Sequence, residues 1–402
     1  MYVENKEIWI TGMGIVSALG TDPNACFTQL HSAISPLRPL LLHESIHSEH
    51  YIGGAVPLSD TEIRQSTNTH HHAYNRTTLL ALIASQQALD SAGIEDSTRD
   101  IISVNATTVG GMPLTEKYFD AIITGKYQVN TDFMNEMDCG SVSRVIRRQH
   151  NLNRMHFMIS TACSSGSNAI MFGARLIQAG KSSIVLAGGS DSISKFVLNG
   201  FLSLKNVDKN MCRPFDRDRF GLNLGEGSAY LVLEEKKHAQ KRHKTPLAIL
   251  SGYGNINENF HITGSSPDGQ GAMNAMNLAM QKAALSPEQI DFIHTHGTST
   301  LDNDLAESIA IKSIFGSSIR FGSSKSYTGH TLAASGCISS VLTIGMMQKG
   351  FIFPTLGFLN PIEETGMKPV SKVQENVHLK HCLVNSFGFG GNNTSLIFSK
   401  PD

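Results

Sequence analysis

Long hydrophobic runs are missing from this sequence, and so is any surplus of one charge. No apolar stretch in its 402 residues approaches the roughly 20 needed to cross a bilayer. The opening MYVENKEIWITGMG has no basic segment followed by an apolar one, so it does not read as a secretory signal. Lys and Arg number 33 against 34 Asp and Glu, a formal net charge of −1. That excludes the basic surplus of a general nucleic-acid binder, and any anionic partner must be met by a local patch. CxxC pairs and metal-ligand spacings are also absent. Cys26, Cys139, Cys163, Cys212, Cys337 and Cys382 are scattered, which suits reduced thiols in a cytoplasmic setting better than a disulfide or metal framework. With 40% hydrophobic and 17% charged residues, the chain can bury a large core as two or three ordinary domains or one large unit.

Short apolar runs alternate with longer helical patterns, which predicts a layered α/β architecture. Strand-like runs are EIWITG (7–12), IISVNA (101–106), HFMIS (156–160), SIVLAGG (183–189), LAILSGYG (247–254), FIHTHG (292–297), IRFGSS (319–324) and LVNSFGFGG (383–391). Among the helical stretches, TTLLALIASQQALDSAG stops at Gly93, a natural C-terminal residue. An internal repeat is more informative. HFMISTACSSG leads from a strand into a helical stretch over 164–179, closed by Gly180, and IRFGSSKSYTGH leads into another over 331–349, closed by Gly350. The charged stretch EEKKHAQKRHK (234–244) separates the units. We therefore expect two related halves, residues 1–240 and 241–402, with Cys163 and His330 at equivalent points around a pseudo-twofold.

Cys163 lies in Ser160-Thr-Ala-Cys-Ser-Ser-Gly166, where a strand ends and a helix begins. Free backbone N–H groups and the positive helix end would favour a thiolate there, and the same N–H groups could hold an oxyanion. A lone cysteine is more often a core residue, but a core position has no need of three serines and a glycine beside it. His296 follows a strand in His294-Thr-His-Gly-Thr-Ser-Thr300, and His330 follows Lys325-Ser-Tyr-Thr-Gly329. Among 17 histidines, a satisfied structural role is the default, but both occupy small-residue loops of the kind that carry catalytic groups. Two neutral imidazoles donating to one oxygen could stabilise an enolate. Asp304 and Glu307 stand at a helix start, with Lys325 nearby in the motif order. A Lys–Glu pair tuning the histidines and plain carboxylates favoured by the helix dipole are both open at this point. Phe387-Gly-Phe-Gly-Gly391 is glycine-rich enough to approach a ligand, and no helix-forming segment follows it as a phosphate-binding loop would require.

Taken in order, these segments resemble the β-ketoacyl-[acyl-carrier-protein] synthases, the condensing enzymes of fatty-acid and polyketide assembly. The resemblance runs from Ile10-Thr-Gly-Met-Gly-Ile-Val-Ser17 through STACSSG, Arg213-Pro-Phe-Asp-Arg-Asp218, Gly225-Glu-Gly227, HGTST and KSYTGH to NSFGFGG. It implies a thiolase-like five-layered α/β/α/β/α fold, usually as a homodimer. It implies decarboxylative Claisen condensation of malonyl-carrier protein with an acyl group held on Cys163, with His296 and His330 assisting, in fatty-acid elongation. Lys325 and Glu307 would support the site electrostatically. Thr298 and Thr300 would meet the phosphopantetheine arm, and the backbone N–H groups of Cys163 and Phe389 would form the oxyanion hole. Thr108, Val109, Phe387 and Phe389 would contact the acyl chain. Lys205, Lys126 and Arg64 would meet an acidic acyl carrier protein. No metal and no resident cofactor are expected, because the pantetheine arm arrives on the carrier; nor is a nucleic-acid or membrane partner.

Three departures stand out. Leu301 follows HGTST where relatives often have proline, Asn392 replaces the threonine of a GGTN end, and His70, His71 and His72 occupy a segment where relatives often carry basic docking residues. The alternative within the same chemistry is a specialised polyketide or polyene ketosynthase working with a dedicated carrier or a related partner subunit. A non-catalytic chain-length subunit is disfavoured, since such subunits typically lack the nucleophile.

Overall fold

The computed structural model describes residues 6–41, 45–47, 49–69, 74–94, 100–125 and 131–401. His70, His71, His72 and Lys126 lie outside the described residues. The strands in chain order are β1 (Ile8–Ser17), β2 (Arg38–Pro39), β3 (Ile52–Gly54), β4 (Ile102–Ala106), β5 (His156–Ile159), β6 (Ile184–Asp191), β7 (Leu224–Gly225), β8 (Gly227–Glu235), β9 (Ala248–Asn257), β10 (Phe292–His294), β11 (Phe321–Gly322), β12 (His381–Gly388) and β13 (Asn392–Ser399). β2, β3 and β7 form a small separate sheet.

The other ten form two five-stranded sets with one topology. β1-β8-β6-β4-β5 and β9-β13-β12-β10-β11 each have two antiparallel pairings followed by two parallel ones. The sets are joined where Trp9 lies opposite Ile249 and Ile10 opposite Ala248. Helices Arg76–Ala92 and Gly140–Gln149 cover the outer face of the first set, and Gln270–Ala283, with Leu301–Phe315 against it, covers that of the second. Helices Ser165–Gln178 and Ser335–Lys349 pack between the sets. This is the five-layered α/β/α/β/α arrangement.

Sequence chemistry explains the layers. Ser335–Lys349 is buried on every side through Met347, as a helix without a polar face must be. Ala169, Ile170, Ala174 and Ile177 of the first central helix share a core with Ile338, Val341 and Leu342 of the second. Each fully buried Ile or Leu contributes about 1.5–3 kcal/mol of transfer free energy. Arg76–Ala92 ends where Gly93 turns left-handed at φ 61. β8 and β13, which the apolar runs did not single out, are the antiparallel second strands of the two sets. Among the described residues, no helix is long and apolar enough to cross a membrane.

Candidate active site

Two strand-to-helix turns, the link between the helices Lys325–Thr328 and Ser335–Lys349, and one hairpin tip converge between the halves. Cys163 sits after β5, just before the first central helix, and is 5% exposed. His296 follows β10 and His330 follows the short helix Lys325–Thr328; both are buried. The tip Phe389–Gly391 joins β12 to β13. One ligand atom from each of Cys163, His296 and His330 lies within 4.8 Å of the others, and the two imidazole centroids are 5.4 Å apart at 84°. Three non-glycine residues beside them, Ala162, Ser299 and Leu332, have φ of 51°, 68° and 51°. Such left-handed residues cost of order 1–3 kcal/mol each and persist where surrounding structure imposes them.

The hydrogen bonds fix the imidazoles. His330 Nδ1 accepts from the Leu332 N–H at 3.1 Å and lies 3.1 Å from the Ser335 hydroxyl. A nitrogen that accepts from a backbone N–H carries no proton, so Nε2–H remains as the donor. Burial and the Lys325 charge push His330 well below its ordinary pKa, and they do the same to His296, with His330 adding to the effect there. Both rings are therefore neutral. The Lys325 ammonium donates to the His296 carbonyl and stands 3.4 Å from its Nδ1. Glu307 accepts the His296 N–H at 2.9 Å, the Gly297 N–H at 2.8 Å and the Asn385 amide at 3.0 Å. Burial lowers Lys325 to about 8 and raises Glu307 to about 7. The Lys–Glu relation is thus electrostatic through space, each group being anchored to the His296 segment. His294, in the same motif, is structural: it bonds Thr343 and Ser324 at 2.9 Å each, and burial lowers it to about 3.

The thiolate expected at Cys163 is corrected. Burial raises the thiol to about 11, outweighing the Lys325 ammonium and the backbone N–H groups of Phe389 and Cys163 that favour the anion. Burial therefore favours the thiol form of Cys163, although the backbone N–H groups of Phe389 and Cys163 act in the opposite direction. A helical start at Thr331 is also corrected. The Leu332 N–H is taken by His330, a 3₁₀ turn covers Leu332–Ala334, and the α-helix begins at Ser335.

Two cavities share Cys163, Phe201 and Phe389. One, of about 160 Å³, holds His296, His330, Thr298, Thr300, Lys205 and Phe220 on its walls. The Thr298 and Thr300 hydroxyls are 2.8 Å apart. The other, about 380 Å³, is lined by Thr108, Val109, Met112, Val197, Gly200 and Leu332, among others. Phe387 packs against His296 at 5.8 Å, and Phe389 against Phe201 at 5.8 Å. Arg64 lines neither cavity and donates to the Tyr74 carbonyl. Leu301 is the first residue of the helix Leu301–Phe315, the position at which a proline loses no intrahelical hydrogen bond, so a helix starts here with either residue.

Sequence reasoning passed over Asp191. Its buried carboxylate accepts from Thr107, Thr108, Val109 and the Ala333 N–H, joining the loop after β4 to the segment after His330. The only signal was its place at the end of LAGGSD. The Cys–His–His set has the makings of a metal site, but a cation there would displace an Nε2 proton and sit beside the Lys325 ammonium. The arrangement suits donation to an anionic oxygen instead.

Comparison with known proteins agrees with this geometry. Residues 5–239 match the family described as beta-ketoacyl synthase, N-terminal domain, and residues 247–359 its C-terminal domain. A 3-oxoacyl-[acyl-carrier-protein] synthase 2 of Vibrio cholerae is 30% identical over 99% of this chain and 100% of its own. A beta-ketoacyl synthase structure from Burkholderia phymatum superimposes with a TM-score of 0.89 at 29% identity, covering 99% of this chain and 100% of its own. The ishigamide ketosynthase/chain length factor gives 0.92 at 26%, with the same coverage.

Proposed function

The chain belongs to the beta-ketoacyl synthase family, and from that premise we propose how its residues carry out the condensation that lengthens a fatty-acyl chain. The activity is that of a 3-oxoacyl-[acyl-carrier-protein] synthase, an acyltransferase, as in its full-length relatives. One observation carries the assignment of roles: a buried thiol and two neutral imidazoles meet within 4.8 Å at the junction of two cavities.

The polar cavity admits the pantetheine arm past Thr298 and Thr300, and the apolar one takes the acyl chain along Thr108, Val109 and Phe389. Cys163 sulfur attacks the carrier thioester, with the Cys163 and Phe389 N–H groups holding the carbonyl oxygen. The C–S bond to the carrier breaks, and the carrier thiol leaves with the proton Cys163 gives up. Malonyl-carrier protein then loses CO₂, and its thioester enolate oxygen is held by the Nε2–H groups of His296 and His330. The enolate carbon attacks the acyl carbonyl, the bond to Cys163 breaks, and the departing thiolate takes a proton from solvent to restore the thiol. The product is a β-ketoacyl-carrier protein two carbons longer. Lys325 and Glu307 fix the His296 segment, and no resident cofactor is needed. Lys205, exposed at the mouth, supplies positive charge for an acidic carrier.

Cys163→Ala tests this directly. Intact mass after incubation with acyl-carrier proteins should show acylation of the parent and none of the variant, and malonyl-carrier protein should then release the longer product. Acylation persisting in Cys163→Ala would overturn the assignment. The likeness to the ishigamide ketosynthase/chain length factor favours a second reading, a specialised ketosynthase paired with a related subunit. Parent protein inactive alone but acylated once that subunit is added would select it. Otherwise the chain works as a homodimer, with a native mass twice that of one chain.

A further inference from the structure

Asn392 opens β13, and its side chain is the hub of a network crossing between the halves. Its Oδ1 lies 2.7 Å from the Ser164 hydroxyl, 2.7 Å from the Asn168 amide nitrogen and 2.9 Å from that of Asn255. Asn168 also donates to the Thr161 hydroxyl at 2.9 Å, while its Oδ1 accepts from Asn255 at 3.1 Å and Thr394 at 2.8 Å. Thr161, Ser164 and Asn168 belong to the nucleophile turn and its helix, whereas Asn255, Asn392 and Thr394 belong to β9 and β13.

The position of this hub gives it a consequence for the reaction. Asn392 pairs with Gly388 across the hairpin, so these two residues bracket the tip that presents the Phe389 N–H. Gly388 is itself pressed against the nucleophile turn. A Cβ there would lie 2.8 Å from the Thr161 carbonyl and 3.1 Å from the Ser164 hydroxyl. The tip is therefore held at both ends against the residues on either side of Cys163, by close backbone approach at one end and by the Asn392 amide at the other. Between those anchors, Gly390 and Gly391 turn left-handed with φ of 80° and 78°, and they are tied to the 258–262 segment, the Gly390 N–H donating to the Ile262 carbonyl at 2.7 Å and the Gly391 carbonyl accepting from the Glu258 N–H at 3.0 Å.

We propose that Asn392 is a positioning residue that sets the distance between the Phe389 and Cys163 N–H groups, and so governs acyl transfer and condensation but not decarboxylation. The inference rests on the reaction proposed above. Acyl transfer and carbon–carbon bond formation each develop an oxyanion at those two N–H groups. Loss of CO₂ develops its charge at the imidazoles, whose anchors (Leu332, Ser335, Lys325 and Glu307) lie outside the network. A merely structural amide would affect both alike.

The test uses the full chain with purified carrier proteins. Asn392→Leu removes the acceptor at similar volume, and Asn392→Asp retains it. Acylation of Cys163 and condensation should fall about tenfold or more in Asn392→Leu, since a misplacement near 1 Å can cost ~100-fold. The KM for acyl-carrier protein and the CO₂ release from malonyl-carrier protein without an acyl group should stay near parental values, and Asn392→Asp should recover most of the acylation. Asn392→Thr keeps a hydroxyl acceptor and shows the same order with a smaller loss, which preserves the test if Asn392→Leu does not fold. Equal loss of acylation and decarboxylation, or unchanged acylation in Asn392→Leu, would overturn the proposal. A parent that neither acylates nor decarboxylates would overturn the reaction itself and this inference with it.

Discussion

Lys325 illustrates how burial turns an ordinary side chain into one that titrates near neutrality. Its ammonium is lowered to about 8 by desolvation, against the pull of Glu307, where a free lysine titrates near ~10.4. The charge that supports the His296 carbonyl is present below about pH 8 and disappears above it. CO₂ release from malonyl-carrier protein should therefore decline through pH 8, at a pH where an exposed lysine would still be charged. Lys325→Met should lower the neutral-pH rate about 10- to 100-fold, the scale of a lost charge-assisted hydrogen bond of ~1.5–3 kcal/mol, and should abolish the alkaline decline. Rates of CO₂ release from about pH 6 to 10 check both, and a decline surviving in Lys325→Met would place that titration on another group. The residues themselves were legible in sequence, because STACSSG, HGTST and KSYTGH each put a reactive side chain in a loop of small neighbours. Their protonation was not legible. The Cys163 thiol is raised by the burial that its neighbours impose, and Asp191 gains its partners from Thr107, 84 positions earlier, and Ala333, 142 positions later.

The helix Lys195–Ser203 carries a comparable lesson about one element. Ser194 caps it, its hydroxyl accepting the Val197 N–H at 3.2 Å, and Val197 and Leu198 are buried. Gly200 stands within the helix, where glycine costs about 0.5–1 kcal/mol relative to alanine. No packing demand explains it, since an added Cβ would meet nothing within 4 Å. The space it leaves belongs to the apolar cavity of about 380 Å³. Gly200→Leu should fill part of that space and slow acylation by long chains about tenfold or more, as each excluded methylene is worth ~1–3 kcal/mol, while short chains load normally. A chain-length series read by intact mass decides it, and an unchanged profile would mean that the acyl group lies elsewhere. Elements with a strong local signal were read closely: Arg76–Ala92 ends one residue before the Gly93 stop. β8 was overlooked because its apolar residues run straight into the charged 234–244 stretch, and β13 because it opens on polar residues after the glycines. The helix after His330 was read as starting too early, because the bond from the Leu332 N–H to an imidazole is invisible in a hydrophobic pattern.

At the scale of the molecule, the two sheets repeat one topology, and the converging side chains are divided between them, with Cys163 on one half and His296 and His330 on the other. The repeat was legible because both halves place a small-residue turn before a glycine-terminated helix. The narrowness of the gap between the central helices was not, since it depends on which faces meet. Ser167 of one half donates to Ser386 of the other at 2.8 Å, and Gly336 fills the space beside them. A Cβ on Gly336 would crowd the Ser167 hydroxyl and lie 2.7 Å from that of Ser386. Gly336→Ala should therefore destabilise the protein by about 1–3 kcal/mol, the range for overpacked cores, despite the better helix propensity of alanine. Gly200→Ala makes the same chemical change in a helix with nothing to crowd, and should leave stability unchanged or slightly raised. Paired urea denaturation curves separate local propensity from contact between halves. A lower midpoint for Gly336→Ala alone means that the approach of the two halves limits stability, whereas equal midpoints would mean that the interface yields to a methyl group and does not hold the nucleophile and the imidazoles at a fixed separation.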